Sequence, residues 1–237
     1  MTDASKALSP ELLARLSRVD TPTVCNAIEV AEGRRGFAAF TRRAPYPSEP
    51  GAGAIVGFAR TARIRGSKPS EAPREAVRAI RMDYYRHMAA GPRPAIAVVE
   101  DLDDAPIGAW WGEVHVAVHR GLGLAGALTN GLVRDLGDLD PGFPVLAGGT
   151  GPSHGFVHVE EIGGGARVLG LDVAEGDLVH ADRHGGAVIP PGVIPRLAEA
   201  MDALGAAEAL ILGPARASGF DLASLERAWA AFEAART

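Results

Sequence analysis

The chain has 237 residues, 47% of them hydrophobic, enough to bury the core of one large domain or of a domain with a small appendage. Its net charge is −5, its pI is near 5.8, and its 22 arginines are scattered among 29 acids, so small molecules or protein partners are expected and direct binding of nucleic acid is not. Cys25 is the single cysteine, which excludes an intrachain disulfide and a multi-cysteine metal site; with no signal-like start and no membrane-length apolar run, a cytoplasmic protein is expected.

In chain order, Ser9 followed by Pro10 and an acid predicts an N-cap and the helix "PELLARLSRV". A second helix is expected from Thr21 and Pro22 through "TVCNAIEVAE" to a stop at Gly33, with Cys25 as a core filler rather than a nucleophile. Residues 34–52, rich in Arg, Pro and Gly, read as a long loop. "GAIVGFARTARI" then predicts a strand, "EAPREAVRAIRMDYYRHMAA" a helix closed by Gly91, and "PAIAVVE" a buried strand. "GEVHVAVHR" predicts a short helix capped by Gly121, "LAGALTN" a buried strand, "GLVRDLGDL" a tight turn into another helical turn, and "FPVLAG" a further strand. From residue 156 short apolar runs split by "GGG", "EGD" and "HGG" predict a β-rich layer, and helices return with "RLAEAMDAL" and with "LASLERAWAAFEAAR" behind an Asp221 N-cap. The architecture expected is α/β: a sheet with parallel strands, a second β layer and flanking helices.

Several features invite chemistry and are better explained by structure. "GGTGPSHG" at 148–155 lacks both the GK[ST] ending of a P-loop and the GxGxxG spacing, and reads as a turn after a strand. His115 and His119 share helical spacing, but HVAVH has no glutamate where a metalloprotease needs one; His180, Asp182 and His184 alternate beside a double glycine, where an exposed polar strand end suffices. His154 and His158 suggest no role of their own. Of the two lysines, Lys6 falls in a terminus expected to fray and Lys68 in a loop, so neither is a desolvated amine and Schiff-base chemistry is not expected.

One set remains. A helix opening at Glu113 presents the amides of Glu113, Val114 and His115 at the positive end of its dipole, where a carboxylate can dock. The strand that follows delivers Arg134 and Asp135 to a turn at its carboxyl end, the usual mouth of an open α/β sheet. An arginine offers a fork to a carboxylate or 2-oxo acid, and an aspartate can carry a divalent cation that keeps most of its waters. Spacing alone favours a plainer alternative, a helix-start acid and an unrelated surface pair.

At these residues the sequence resembles the RraA-like family, which includes class II 4-hydroxy-4-methyl-2-oxoglutarate aldolases. Glu113, twenty intervening residues and Arg134-Asp135 match its acid-X20-Arg-Asp pattern, with "GE" before the helix, "NGLVRD" after the strand and "FPVLAGGTGPS" beyond. The likeness spans roughly residues 20–190 of what is read as a single domain, 1–237, with a helical extension over about 191–237. It implies a β/β/α swivelling-domain-like fold, a homotrimer or hexamer, and a lyase that cleaves 4-hydroxy-2-oxo acids to pyruvate with Mg2+, Mn2+ or another divalent cation and decarboxylates oxaloacetate as a side activity. In that likeness Glu113, Arg134 and Asp135 are catalytic: Arg134 binds the substrate's carboxylate and keto oxygens, Asp135 holds the metal, Glu113 positions a water, and the amides of Val114 and His115 hold the carboxylate. Asn130 stands where an aspartate is common, and Trp110 and Trp111 are expected to crowd Glu113. Other members are non-catalytic, protein-binding regulators of ribonuclease E, which is the alternative reading.

Overall fold

The computed structural model describes residues 8–235, so Lys6 and Arg236 lie outside the described residues. Helices α1 (Pro10–Leu16) and α2 (Thr21–Glu32) begin where proline in the first turn and a polar cap predict, since Ser9 accepts the amide of Leu12 and Asp20 that of Thr23. Helix α2 stops at Gly33, whose φ of 68° is left-handed. Residues 34–52 are more than a loop. Phe40 bridges Ala187, and β1 (Tyr46–Pro47) adds an edge strand to the sheet.

The sheet is built on β2 (Ile55–Arg65), followed by α3 (Arg74–Ala89), β3 (Ala95–Asp101), α4 (Glu113–Gly121), β4 (Leu124–Thr129), β5 (Leu132–Val133), β6 (Val145–Ala147) and β7 (Gly149–Thr150). After these come β8 (His158–Ile162), β9 (Ala166–Val168), β10 (Leu171–Val173), β11 (Leu178–Asp182) and β12 (Gly185–Ile189), then a 3-10 segment (Pro191–Arg196), α5 (Leu197–Ala215) and α6 (Leu222–Ala235). Strands order as β1-β6-β4-β3-β2-β11-β12, with β2, β3, β4 and β6 mutually parallel. β2 is long enough to pair with β11 along its first half and with β8 along its second.

Alternation along the strands divides the core into layers. Val56 and Phe58 meet α1, α2 and α5, while Ala62, Ile64, Ala97 and Val99 lie under α3 and α4. The opposite-facing Ile55, Ala59, Ile96 and Val98 are covered by the hairpin β9–β10. The fold is thus mixed α/β, as expected from sequence, with two corrections. The second β layer shrinks to that hairpin, because β8, β11 and β12 join the main sheet. The tight turn expected at "GLV" is instead β5, which pairs with β7, and the helical turn expected after "GLVRD" is a single hydrogen-bonded turn in which the Asp138 amide donates to the Asp135 carbonyl (3.0 Å). Helix α5 also outruns "RLAEAMDAL", reaching Ala215 with α6 packed along it.

Candidate active site

The parallel strands β3, β4 and β6 all send their carboxyl ends to one edge, and the connections leaving that edge knit into a small patch of their own. Trp111 bridges Val133 in parallel, with the Arg134 amide donating to the Trp111 carbonyl at 2.8 Å. On the other side of β5, Gly151 donates to Val133 (3.0 Å), and Ala109 donates to the carbonyl of Ser153 (2.8 Å). This pairing sets Gly112 opposite Arg134, so the next residue, Glu113, opens α4 beside Asp135.

The three site residues expected from sequence come together here. The Glu113 amide donates to Asp135 Oδ2 (3.1 Å), and Arg134 donates through Nη1 to Asp135 Oδ1 (2.9 Å). Both side chains of the pair are about 30% exposed (30% and 29%), and the Glu113 side chain lies open to solvent. The Glu113 amide, expected to stay free for a ligand, is therefore taken by Asp135. The first backbone bond of α4 runs from Val116 to Gly112, so the amides of Val114 and His115 precede it and remain the donors of the helix start.

Two local signs mark the spot as constrained. Asp135 has φ of 56°, a left-handed value that costs a non-glycine residue on the order of 1 kcal/mol or more and persists only where surroundings enforce it. Arg134 Nε is buried without a hydrogen-bond partner among the described residues, a donor aimed at something the protein does not supply. Gly112 explains how the groups fit: a Cβ there would lie 2.6 Å from Asp135 Oδ2 and 2.9 Å from Arg134 Nε. Sequence reading treated this glycine as a helix boundary only, because a close approach to residues 22 and 23 positions later leaves no local signal.

Behind the mouth stands an aromatic wall. Trp110 and Trp111 are 2% and 0% exposed, so they do not crowd Glu113 as expected; they point into the core. His119 donates from Nδ1 to the His115 carbonyl (2.5 Å), which leaves Nε2 to accept from the Tyr84 hydroxyl (2.6 Å). With both nitrogens engaged, His119 is no zinc ligand. Burial pushes its pKa down to about 4, and burial, then the charges of His119, Arg81 and Arg134, push His115 to about 3. The His115 ring packs 4.2 Å from that of Trp110.

The other histidine cluster is structural: His180 and Asp182 are buried, and the exposed strand end expected is found only at Arg183 and His184. His180 is fully buried, bonded through Nε2 to the Leu16 carbonyl (2.9 Å) and through Nδ1 to the Thr21 hydroxyl (3.1 Å). Asp182 accepts the Thr21 amide (3.0 Å) and His184 Nδ1 (3.1 Å), tying β11 to the start of α2. His184 sits beyond the end of β11, so the three never share a strand face. His154 bonds to the Gly155 carbonyl and His158 to Glu160, and the glycine-rich stretch supplies β7 and the turn after it. Cys25 is half-buried, its thiol pushed up to about 11 by burial and by Glu29, which suits a filler. Asn130 clamps β3 to β4, accepting the Asp101 amide and donating to the Asp101 carbonyl, both at 2.8 Å; an aspartate there could not donate. No group of three or more His, Cys, Asp and Glu side chains able to hold a metal occurs among the described residues.

The family model described as RraA-like, Aldolase/RraA, matches residues 21–188. The chain belongs to the RraA-like family. Among solved structures, a protein from Pseudomonas syringae pv. tomato is similar at TM-score 0.69 and 19% identity, covering 94% of each chain. Streptomyces coelicolor RraAS2, described as an unusual member of the RNase ES inhibitor RraA family, aligns at TM-score 0.61 and 23% identity over 85% of this chain and 93% of that one. A protein described as a novel cellulase from gut-associated microbes aligns at 0.64 and 19% over 85% and 86%. At these identities the likenesses speak to the RraA-like fold. No curated protein matches the sequence. The RraA-like family holds both aldolases and ribonuclease inhibitors, and among the described residues no helix is long and apolar enough to cross a membrane.

Proposed function

We propose that the chain is a divalent-metal-dependent lyase that cleaves 4-hydroxy-2-oxo acids to pyruvate, working as a homotrimer or hexamer. The observation that carries this reading is the convergence of Glu113, Arg134 and Asp135 on one mouth, with a strained backbone at Asp135 and an unpartnered guanidinium nitrogen at Arg134. The donor chemistry fits magnesium or manganese, because Asp135 and Glu113 offer only oxygen and such an ion, held by one carboxylate, keeps most of its waters. Bound by Asp135, such an ion would supply positive charge to stabilise an enolate.

The chain's own groups divide the remaining work. Arg134 binds the substrate carboxylate and keto oxygen in its planar fork, and the Val114 and His115 amides take the carboxylate's other oxygen. Cleavage breaks the bond between C3 and C4; its electron pair stays with C3 as the enolate of pyruvate while the C4 hydroxyl gives up its proton and becomes a carbonyl. A water held by Glu113 takes the hydroxyl proton and returns one to C3. Loss of carbon dioxide from oxaloacetate leaves the same enolate, so decarboxylation is the expected side reaction.

Pyruvate release from a panel of 4-hydroxy-2-oxo acids tests the reading. Activity is expected with magnesium or manganese, and is abolished by EDTA and by Asp135→Ala; Arg134→Ala removes cleavage and decarboxylation together. Full activity in excess EDTA overturns the proposal. A protein-binding regulator of ribonuclease E would instead release no pyruvate from any acid and would inhibit the ribonuclease equally well as wild type and as Glu113→Gln.

A further inference from the structure

Helices α5 and α6 pack on each other as a hairpin that lies beyond residues 21–188, the stretch the family model matches. A helix of fourteen residues is marginal in water and draws its stability from burying an apolar face. Yet among the described residues Ala228 is the only buried side chain of α6, although the helix carries Leu222, Leu225 and Trp229. Of the eleven large apolar side chains exposed among the described residues, five fall between Leu210 and Trp229, so this exposure is a patch and not a scatter.

The patch has a definite shape. Spacings of four and three put Ala203, Ala207 and Leu210 on one stripe of α5, and a spacing of seven puts Leu222 and Trp229 on one stripe of α6. Ala203, Ala207 and Trp229 line a groove of about 650 Å³ between α5, α6 and the end of α2, so both stripes start in it. Leu210 and Leu222 carry them about 10 Å further, toward the turn that joins the two helices. One end of the surface is thus a hole floored by alanines, and the other a knob, Leu222, which is 69% exposed.

A surface that carries knob and hole on the same stripes is complementary to its own copy turned end over end, which is the condition for a two-fold contact. Charge agrees. Between Leu210 and Trp229, Arg216 and Arg227 balance Asp221 and Glu226, so two copies meet without net repulsion and a strongly charged partner finds no handle. Size agrees as well, because a stable interface takes about 20–30 residues a side and the exposed positions between Ala203 and Glu233 are of that order. We propose that the α5–α6 hairpin pairs, antiparallel, with that of a second copy as a four-helix bundle in which Leu222 of each copy fills the other's groove beside Trp229. The contact is two-fold, lies apart from the residues of the mouth and rests on no part of the lyase reading. Each copy can belong to a threefold ring as well.

The test compares the full-length wild type with Leu222→Glu, a change at an exposed position that leaves the fold of each copy intact. By light scattering the wild type is expected to contain an even number of chains, and the variant half that number. A wild type of one or three chains, or a variant of unchanged mass, overturns the proposal. Trp229 supplies a second readout, since Trp110 and Trp111 are buried and shielded from a quencher. Acrylamide is expected to quench Trp229 emission weakly in wild type and strongly in Leu222→Glu. Leu222→Ala, which removes the knob and adds no charge, is expected to move both readouts the same way but less far. Equal quenching in wild type and both variants overturns the proposal whatever the mass. Protection of Trp229 that appears only when phosphatidylcholine vesicles are added assigns the face to a lipid surface, and overturns the proposal too.

Discussion

Helix α4 has two sides that obey different rules. Its inner side, with Val116 and His119, is buried against Tyr84, Trp111 and Phe143, and each nitrogen of His119 has a partner. Its first turn meets the mouth, where Asp135 holds a left-handed φ, Arg134 Nε lacks a partner and the Glu113 carboxylate faces solvent. The difference teaches where this fold spends stability. The packed wall fixes the helix so that the mouth can hold polar groups in a geometry they would not adopt alone.

The sharpest way to break that comparison is at Glu113. Glu113→Gln keeps the size and the helix start, and is expected to lower kcat by about 10²–10⁴ while KM and Tm change little. Glu113→Asp should be milder. A Glu113→Gln variant with wild-type kcat would reduce the residue to a first-turn acid worth about 0.3–1 kcal/mol of stability, and the mouth to ordinary surface.

Gly112→Ala probes the same mouth without touching a charge. Its new Cβ must displace Asp135 Oδ2 or Arg134 Nε, so kcat/KM should fall by about 10² with no more than a small loss of Tm. Activity and stability falling in proportion would show that Gly112 serves folding, and that the mouth and the wall are one unit.

Asp101 tests the wall's neighbour by pH. Its carboxyl is 2% exposed, with Oδ2 unpartnered, and burial raises its pKa from 3.8 to about 6. The folded chain holds this proton more tightly than the unfolded one. Stability from the group is therefore complete below pH 3.8 and falls, by about 3 kcal/mol at most, as pH rises through 6. Asp101→Asn keeps the acceptor for the Asp103 amide and should raise Tm at pH 8 while leaving it nearly unchanged at pH 4. Equal shifts at both pH values would remove the titration from the explanation.

The smallest effect is expected from Tyr84→Phe. It strips the donor from His119 Nε2 in a dry site and should lower stability by about 1–3 kcal/mol, with kcat within a factor of two of wild type. A large drop in kcat would show that the wall takes part in the reaction instead of supporting it.

The helix starts at Ser9 and Asp20, the stop at Gly33, the long strands β2, β3 and β4 and the opening of α4 at Glu113 were readable in the sequence, because caps, left-handed stops and alternation act over a few residues. So was the pairing of Glu113 with Arg134 and Asp135, although only resemblance to a family made that spacing more probable than chance. Tertiary structure alone decided the rest. Strand β5 replaced a tight turn because β7, seventeen residues on, offered it hydrogen bonds; Trp110 and Trp111 turned inward because α3 and β4 gave them a core; and His180 with Asp182, on β11, became the anchor of α2. Each of these outcomes depends on a partner distant in sequence, whose hydrogen bonds and buried surface outweigh local preference, and a local pattern carries no record of that partner.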